Sequence, residues 1–540
     1  MQEPDISLQD RTIGRVLADR AARAGGSPFL RWQGTVTSYA QAESLSNRYA
    51  NGLAALGIGH GDHVAVMMPN CPEFLWVVWG LGKLGAVAVP LNTAAKGEML
   101  SYFLDHSEAT RIIIDFQWAD RLAALASGLP KLRQCLVHAA PQGRGQEALP
   151  GRPVLALSAV IADDDAAPPH SRVRHDDTHL IMYTSGTTGP SKGVMCPHSQ
   201  GLGIGRAIAT DFGYRSDDVL YVCLPLFHAN ALWYSCYAAL WAGACVALSP
   251  RFSASAFWDE ILQSGATQFN SLGAMTNIIM QLPPGPHERR HSLRQCMVVP
   301  VQRALYDKLR ERFGVTPTSV FAMTENYAVT TFVPDDPPEK VGSAGAGRDA
   351  SRLRIVDDDG EPLACGQVGE IELTALQAGS MMKGYYRMPK ETADAFNDGW
   401  FRTGDRGWLD VDGYLYFVDR KKEAIRRRGE NISAYEVEMI LSRHPAVLEA
   451  AAIAVPSELS EDEVMVYLVL RPGAQVTHEQ IVQFADAHMS HFMVPRFVEF
   501  VNELPKTATE KIEKNKLTQD AAARRDQLWD REKAGIQIRR

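Results

Sequence analysis

The chain has 540 residues, of which 46% are apolar and 22% charged, a balance that excludes a disordered protein and predicts roughly two to four domains. Its net charge of −8 argues against a general affinity for nucleic acid. Eight cysteines are scattered singly, without a CxxC pair, which predicts thiols in a reducing compartment. The acidic N-terminus has no apolar segment typical of a signal peptide, so we expect a soluble, cytoplasmic protein.

The first part of the chain alternates strand-like and helix-like patterns. Residues 63–68 and 86–91 are short apolar runs, and residues 71–84 between them carry the longer pattern of a helix. Such alternation is typical of parallel sheets covered by helices. We therefore predict an α/β fold.

A glycine-rich loop follows, in which residues 183–193 read YTSGTTGPSKG. Its glycines allow backbone N–H groups to converge on one point, and such arrays bind anions, phosphate above all. The order of Ser191, Lys192 and Gly193 differs from the loop of kinases and GTPases, where glycine precedes the lysine and a hydroxyl follows it. A solvated loop is the plain alternative. The composition and the motifs downstream favour a phosphate-binding loop.

The α/β pattern then continues, with predicted strands at 219–224 and 267–272 and an amphipathic helix at 302–313. The uncharged stretch 231–248 contains polar side chains and lies between two prolines. We predict a buried helix followed by a strand there, not a membrane span.

The character of the chain changes at about residue 345, where short β-rich segments alternate with Asp-Gly turns. This pattern predicts a small β subdomain over 345–419, with a domain boundary at 419–422. The N-terminal domain would then cover residues 1–419 and the C-terminal domain residues 420–540.

The C-terminal unit has the pattern of a compact α+β domain. Ser433 with Glu436, and Thr477 with Gln480, have the spacing of capping boxes that open helices. Strands are predicted at 451–455, 465–470 and 497–501.

Two further segments place carboxylates where a nucleotide would need them. Thr324 and Glu325 end a predicted strand, and a carboxylate beside a phosphate site has Mg²⁺ as its natural partner. Residues 399–405, GWFRTGD, place Asp405 after a glycine turn, which suits a contact with two ribose hydroxyls. A chance Thr-Glu pair and an ordinary Asx turn are the plain alternatives.

A basic run follows at 420–428, with six cations in nine residues. A solvated face is the plain alternative. Nucleic acid is disfavoured because no interleaved aromatic side chains offer stacking. We predict contact with a small polyphosphate ligand.

These segments, in this order, resemble the adenylate-forming superfamily of acyl-CoA synthetases, luciferases and peptide-synthetase adenylation domains, from about residue 10 to residue 517. Within it, the chain is most similar to bacterial crotonobetaine/carnitine-type acyl-CoA ligases, on the strength of PLFH at 225–228, RFSASAFW at 251–258 and RGENIS at 428–433. The resemblance implies a large N-terminal domain of helix-covered, mainly parallel sheets with a small β subdomain, and a small mobile α+β C-terminal domain.

The resemblance also implies roles for single residues. ATP would contact Thr184, Ser185, Gly186, Thr187, Thr188 and Lys192 through its phosphates, and Asp405 and Arg420 through its ribose. Thr324 would bond the α-phosphate, Glu325 would hold Mg²⁺, and Lys511 would bridge the substrate carboxylate and the α-phosphate. His228 lies where the family has a gate beside the acyl group, with a purely structural histidine as the alternative. The acyl pocket would include Trp233, Ala322, Asn326, Tyr327 and Thr330.

A second half-reaction is implied in which the C-terminal domain rotates about a hinge at Lys422 and withdraws Lys511. Coenzyme A would then attack the adenylate, with its binding residues at Arg426, Arg428, Gly429 and Asn431.

Three positions depart from the family pattern. Residues 298–302 lack the usual glycine-rich loop, Ala322 replaces a glycine, and Glu510 replaces the glycine before Lys511. None of these removes a catalytic side chain. Together they favour a specialised substrate or acceptor.

The sequence therefore predicts an ATP-dependent carboxylate–CoA ligase that forms an acyl-adenylate and then an acyl-CoA thioester. Two alternatives stay open: an amide synthetase (or a ligase that acylates a carrier-protein thiol), and a non-catalytic nucleotide or acyl sensor. The expected partners are a small carboxylic acid, ATP with Mg²⁺, and CoA or an amine. Nucleic acid is not expected, and a homodimer is left open.

Overall fold

The computed structural model describes residues 6–141, 144–161, 166–184, 190–285, 287–299, 301, 303–347, 351–377, 379–420, 424–458, 461–505 and 512–538. The backbone alone is described at 274, 327, 328, 351, 419, 420 and 424. The described residues form a large α/β region, an antiparallel β sheet and a C-terminal α+β unit, so the predicted fold class is confirmed.

The strands of the α/β region are β1 (Pro28–Trp32), β2 (Thr35–Ser38), β3 (His63–Met67), β4 (Val87–Pro90), β5 (Arg111–Asp115), β6 (Gln134–His138), β7 (Val154–Ala156), β8 (Thr178–Thr184), β9 (Lys192–Pro197), β10 (Val219–Val222), β11 (Cys245–Leu248), β12 (Gln268–Leu272), β13 (Gln295–Val299), β14 (Thr316–Met323), β15 (Asn326–Phe332) and β16 (Ala346–Gly347). Its helices are α1 (Ile13–Ala24), α2 (Tyr39–Ala55), α3 (Pro72–Leu84), α4 (Gly97–His106), α5 (Ala119–Ala123), α6 (His198–Asp211), α7 (Ala229–Ala231), α8 (Ala238–Ala242), α9 (Phe257–Ser264), α10 (Gly273–Gln281) and α11 (Arg303–Phe313). A π-helical turn, Leu232–Tyr237, joins α7 to α8.

Two large sheets form this region. Over the described residues, one runs in the order β7-β6-β5-β3-β4-β8-β9 and is parallel except for the β8–β9 pair. The other runs β16-β15-β14-β13-β12-β10-β11-β1-β2, with a parallel centre from β14 to β1. Strands such as β4 are buried along their whole length, as expected where helices cover both faces.

One continuous apolar cluster joins the two sheets through α1, α3 and α6. Its centre holds Trp79, whose ring centroid lies 5.3 Å from that of Phe29. The predicted buried helix at 231–248 is confirmed as α7, the π turn and α8, followed by β11. In the part of the chain that the structure describes, no helix is long and apolar enough to cross a membrane.

The β-rich segment forms an antiparallel sheet of β17 (Ser351–Val356), β18 (Gly369–Ala375), β19 (Phe396–Asn397), β20 (Trp400–Leu409) and β21 (Leu415–Arg420), with α12 (Pro389–Asp394) beside it. The C-terminal unit contains the hairpin β22 (Ala424–Arg427) and β23 (Glu430–Ser433), the sheet β24 (Val447–Pro456), β25 (Asp462–Leu470) and β26 (Phe497–Val501), and the helices α13 (Ala434–Leu441), α14 (His478–His488) and α15 (Lys514–Ala523). Single 3-10 turns occur at Leu8–Asp10, Phe116–Trp118, Ala126–Gly128, Gln146–Ala148, Leu157–Ala159, Pro338–Lys340 and Arg525–Gln527.

The two predicted capping boxes have different outcomes. Thr477 and Gln480 cap α14 reciprocally, side chain to backbone in both directions, as predicted. At α13 the Ser433 side chain accepts from the Glu436 N–H, but the Glu436 carboxylate points instead to Ser191. The prediction of a full box there is therefore wrong, because the backbone N–H and the hydroxyl of Ser191 bind that carboxylate.

Candidate active site

The candidate site lies where neighbouring strands of the second large sheet end. The strands β10, β12, β13 and β14 are parallel neighbours, so the segments that follow them emerge at one edge. His228 follows β10, Leu272 ends β12, and Thr324 follows β14. The crevice outside the carboxyl ends of parallel strands is the usual ligand site of such sheets.

The predicted phosphate loop connects β8 to β9, which pair at Thr184 and Lys192. Ser185, Gly186, Thr187 and Thr188 lie outside the described residues. Lys192 Nζ lies 4.5 Å from the centroid of the Tyr385 ring, a cation–π distance. The side chain of Lys192 therefore lies over the ring of Tyr385, a residue that the sequence analysis did not identify.

Tyr385 links this lysine to the predicted metal ligand. Its hydroxyl donates to Glu325 Oε1 at 3.0 Å. Burial, reinforced by the Glu325 carboxylate, raises the pKa of Tyr385, so the phenol keeps its proton and acts as a donor. Lys192, Tyr385 and Glu325 thus form one connected group, which bridges the two large sheets.

The turn that carries Thr324 and Glu325 is held by its backbone. Gln200 Nε2 donates to the Thr324 carbonyl at 2.8 Å, and the Met382 N–H donates to the Glu325 carbonyl at 2.9 Å. Mg²⁺ is usually held by one or two carboxylates together with substrate phosphates. Glu325 would supply the carboxylate, and a phosphate bound by Lys192 would supply further oxygens. Glu325 therefore fits the predicted metal.

The predicted ribose ligands lie on adjacent strands, since Asp405 of β20 faces Arg420 of β21 in register. Asp405 is buried, and its N–H donates to Thr403 Oγ1 at 3.0 Å. The expected glycine turn before Asp405 is present at Gly399, and β20 runs from Trp400 through Asp405, with Gly404 inside the strand at φ +72°.

His228 contacts the C-terminal unit. Its Nε2 lies 3.2 Å from Oε1 of Glu430, the first residue of β23. Burial alone would lower the pKa of His228, but the Glu430 carboxylate outweighs it and raises that pKa. Burial alone would raise the pKa of Glu430, but the charge and hydrogen bond of His228 outweigh burial, so the pKa of this carboxyl is lowered. The two side chains form a pair that favours the charged forms.

The hairpin β22–β23 sits on the sheet edge itself. Gly429, in its turn, has φ +84°, and a Cβ there would overlap Leu272 Cδ1 at the end of β12. Glu436, on the helix that follows, accepts from the Ser191 N–H at 2.9 Å and from Ser191 Oγ at 2.5 Å. Burial raises the pKa of Glu436 although both bonds favour its charged form. The C-terminal unit therefore contacts both the histidine and the foot of the phosphate loop.

Further contacts hold this arrangement. Ser490 Oγ donates to the Ala94 carbonyl at 3.0 Å, and Arg443 pairs with Glu98. These contacts join α4 and the segment before it to the segments that follow α13 and α14. They hold the C-terminal unit, and with it the hairpin, against the N-terminal region.

The basic run is not a uniform polyphosphate surface. Arg427 is 2% exposed, its Nε lies 2.6 Å from Glu463 Oε2, and its Nη1 donates to the carbonyls of Phe492 and Val494 at 3.0 Å each. A contact between Arg427 and a ligand is excluded in this arrangement because its donors face the core of the C-terminal unit. Arg428, by contrast, is exposed, and its backbone has a positive φ of +52°.

The other predicted site residues fall into three groups: residues of the hairpin, residues of the acyl pocket, and residues outside the described part. The side chain of Asn431 is exposed, and the Arg426 N–H donates to Asp462 Oδ2 at 3.0 Å. Trp233 and Asn326 are fully buried, and Ala322 is half-buried. A Cβ at Gly201 of α6 would lie 2.7 Å from the Trp233 indole nitrogen, so that ring fills the space beside the helix. Lys422, Lys511, Glu510 and the side chain of Tyr327 lie outside the described part.

Asn70 is a further positioning residue that the sequence analysis missed. Its Nδ2 donates to the carbonyls of Leu224 (2.9 Å) and Ser249 (3.1 Å), and its Oδ1 accepts from the Leu226 N–H at 2.9 Å. It thereby fixes the loop that leads to His228. In the sequence, Asn70 could have been noticed as a polar amide that follows the buried strand β3, since polar side chains at the carboxyl ends of parallel strands often line a ligand site.

Known proteins are similar to this chain over most of its length. Residues 17–386 match the family described as AMP-binding enzyme, and residues 436–511 match the AMP-binding enzyme C-terminal domain. The crotonobetaine/carnitine–CoA ligase of Salmonella enteritidis PT4 is 32% identical over 490 residues, which cover 89% of this chain and 92% of that protein.

Two solved structures are similar along nearly the whole chain. The amide bond synthetase McbA from Marinactinospora thermotolerans is 25% identical with a TM-score of 0.81, and covers 94% of this chain and 99% of its own. The o-succinylbenzoate CoA synthetase of Bacillus subtilis, bound with a product analogue, is 26% identical with a TM-score of 0.79, and covers 93% of this chain and 98% of its own.

Proposed function

Because this chain belongs to the AMP-binding enzyme family, as an enzyme of the acyl-CoA synthetase type, we propose that it joins a small carboxylic acid to coenzyme A in two steps. The acid first attacks the α-phosphorus of ATP, which gives an acyl-adenylate and pyrophosphate. The thiol of coenzyme A then displaces AMP. The observation that carries this proposal is a set of contacts at one sheet edge: Lys192, Tyr385 and Glu325 form a connected group, and the β22–β23 hairpin meets His228 there.

In the first step, the residues of this chain bind and orient two anions that repel each other. Lys192 neutralises the outer phosphates, Thr324 bonds the α-phosphate, and Asp405 with Arg420 fixes the ribose. Mg²⁺, held by Glu325, supplies further charge neutralisation when it is bound. Positioning and charge neutralisation are the main tasks of the protein in such transfers.

Lys511 completes the first step by bridging the carboxylate and the α-phosphate. The second step uses another arrangement of the C-terminal domain, reached by rotation about Lys422. We propose that the docked hairpin described above belongs to this second arrangement. One observation supports that assignment: Glu436 occupies donors at the foot of the phosphate loop.

The acid is proposed to be small or medium in size and to carry a functional group. The fully buried Trp233 and Asn326 limit the space beside the crevice, and the curated relatives are named for crotonobetaine and carnitine. These two compounds are therefore the first acids to test.

The test of this proposal is product analysis by mass spectrometry. The enzyme is given ATP, Mg²⁺ and a panel of carboxylic acids that includes crotonobetaine and L-carnitine, with coenzyme A, with an amine mixture, or with neither. We expect acyl-CoA and AMP only where coenzyme A is present. Amides without thioesters would move the enzyme to the amide synthetase function, which the similarity to McbA favours as the second candidate. ATP left intact with every acid would contradict both.

The role of Lys511 has a separate test. Lys511→Ala should lower acid-dependent adenylation by orders of magnitude, and the reaction of a supplied acyl-adenylate with coenzyme A should stay close to wild type. The physical reason is that one cation orients and screens two anions only while both are reactants. Equal losses in the two half-reactions would remove this role.

A further inference from the structure

We propose that His228 and Glu430 act as a dyad in the second half-reaction, in which His228 accepts the proton of the attacking thiol and Glu430 is its positioning residue. The proposal rests on the function proposed above. The dyad gives the second half-reaction a general base in addition to its positioning groups. His228 and Glu430 are in contact only when the hairpin is docked on the sheet edge.

The geometry of the pair supports this role. A carboxylate can only accept a hydrogen bond, so the Nε2 that lies 3.2 Å from Glu430 Oε1 carries a hydrogen. A neutral imidazole with hydrogen on Nε2 has its lone pair on Nδ1. The carboxylate therefore selects one tautomer and fixes the plane of the ring. This is the arrangement of a base oriented by a third group.

Both residues are held by elements that meet only across the crevice. His228 precedes α7 in the N-terminal region, at the end of a loop fixed by Asn70. Glu430 follows the hairpin turn that packs against Leu272. Rotation of the C-terminal domain away from the sheet edge would separate the two residues. The dyad would therefore exist in the second half-reaction and be absent in the first.

The chemistry of the second step needs such a base. Free cysteine, with a pKa of about 8.5, is mostly protonated at neutral pH, and so is the alkyl thiol of coenzyme A; the thiolate is the nucleophile. In the proposed step the S–H proton passes to Nδ1 of His228, and the sulfur forms a bond to the acyl carbon. The mixed-anhydride C–O bond breaks, and AMP leaves with its electron pair. The imidazolium then releases the proton to solvent.

The surroundings of the pair define its pH response. Glu430 meets His228 and also the Asn92 side chain, and the charge of His491 acts on it. Glu430 is the group that raises the pKa of His228 above its ordinary value. Since only neutral imidazole can accept a proton, the rate of thiolation should rise with pH through that raised pKa. Removal of the carboxylate should move this rise to lower pH.

The experiment is a single-turnover measurement of the second half-reaction from pH 5.5 to pH 9.5. The acyl-adenylate is formed on the enzyme from ATP and the panel acid that gives the fastest ATP–pyrophosphate exchange, and coenzyme A is the acceptor. The variants are Glu430→Gln and His228→Asn. Glu503→Gln, which removes an exposed carboxylate in the C-terminal unit, is the matched control.

We expect His228→Asn to lower the thiolation rate at neutral pH by about 10²-fold, as for loss of a general base. Glu430→Gln should lower the rate roughly tenfold or more, since Gln can also select the wrong tautomer. It should also shift the acidic limb of the pH profile to lower pH, because the carboxylate that raises the pKa of His228 is gone. Both deficits should shrink as pH rises towards the pKa of the coenzyme A thiol, because the thiolate then needs no base. A purely structural role would leave the deficit constant with pH.

Three results would overturn the dyad: a Glu430→Gln profile that matches Glu503→Gln, deficits that persist unchanged at pH 9.5, or equal losses in exchange and thiolation for both variants. Failure of the proposed function looks different, because wild-type enzyme would then give no thioester. If wild type gives amides, the same measurement with the amine as acceptor tests the dyad.

Discussion

Arg427→Met should destabilise the C-terminal unit strongly, although the sequence places this residue in a run of apparent ligand-binding cations. The guanidinium is buried against Glu463 and two backbone carbonyls. Burial, only partly offset by Glu463, lowers the pKa of Arg427 to about 10, so the group is still charged at neutral pH. Its removal leaves a buried carboxylate and two carbonyls without their donor.

The magnitude follows from that loss. Breaking one partner of a buried ion pair costs about 3–5 kcal/mol. Native-state hydrogen exchange, read by mass spectrometry over β22 and β25, measures this cost locally. At about 1.4 kcal/mol per factor of ten, the slowest amides there should exchange roughly a hundredfold faster or more. Arg428→Met is the matched neighbour; it is exposed, and we expect a change within about 0.5 kcal/mol.

A double-mutant cycle with Glu463→Met separates the pair from simple loss of packing. Replacing both partners by apolar side chains should cost much less than the sum of the single changes, since no charge then stays buried alone. The reasoning is refuted if Arg427→Met leaves exchange over β22 and β25 unchanged. It is equally refuted if the variant raises the KM for coenzyme A and leaves stability intact.

Three further predictions concern other parts of the molecule. Gly429→Ala should lower the ratio of the thiolation rate to the ATP–pyrophosphate exchange rate at least about tenfold, because the new Cβ would overlap Leu272 and a positive φ disfavours alanine. An unchanged ratio would contradict docking of the hairpin. Asn70→Ala should cost about 2–4 kcal/mol in chemical denaturation, because it breaks three buried hydrogen bonds, and should raise the KM for the acid. The stacked, buried His179 and His198 should make the protein less stable in acid. Burial lowers the pKa of His179 from 6.5 to about 4, so between these pH values the unfolded chain binds a proton that the folded protein does not. This difference favours unfolding by up to about 3 kcal/mol. The Tm should therefore fall as pH drops below 6.5, and His179→Phe should flatten that slope.

Much of the α/β fold was predictable because its signal is local. The parallel strands β3 and β4 are continuous apolar runs, and α3 between them is an apolar run too long for a strand. Their period, length and order suffice to predict helix-covered parallel sheets. The Thr477 cap was equally predictable, since its partners lie three residues apart.

The contacts between distant segments were not predictable in the same way. Glu436 has the spacing of a capping box, and nothing in its neighbourhood indicates that Ser191, 245 residues away, binds its carboxylate. Charge density likewise failed for Arg427, because a run of cations does not reveal which member faces the core. Tyr385 carries no motif, and its place between Lys192 and Glu325 follows only from tertiary structure.

The central claim is that the carboxylate of the acid attacks the α-phosphorus of ATP, and an oxygen-18 transfer measurement tests it most directly. The acid identified in the panel is labelled with oxygen-18 in its carboxylate and converted with ATP, Mg²⁺ and coenzyme A. The account predicts AMP that carries one heavy oxygen in its phosphate, because the adenylate C–O bond breaks on the acyl side. Heavy oxygen in orthophosphate together with ADP would mean attack on the γ-phosphorus, and the account would be wrong.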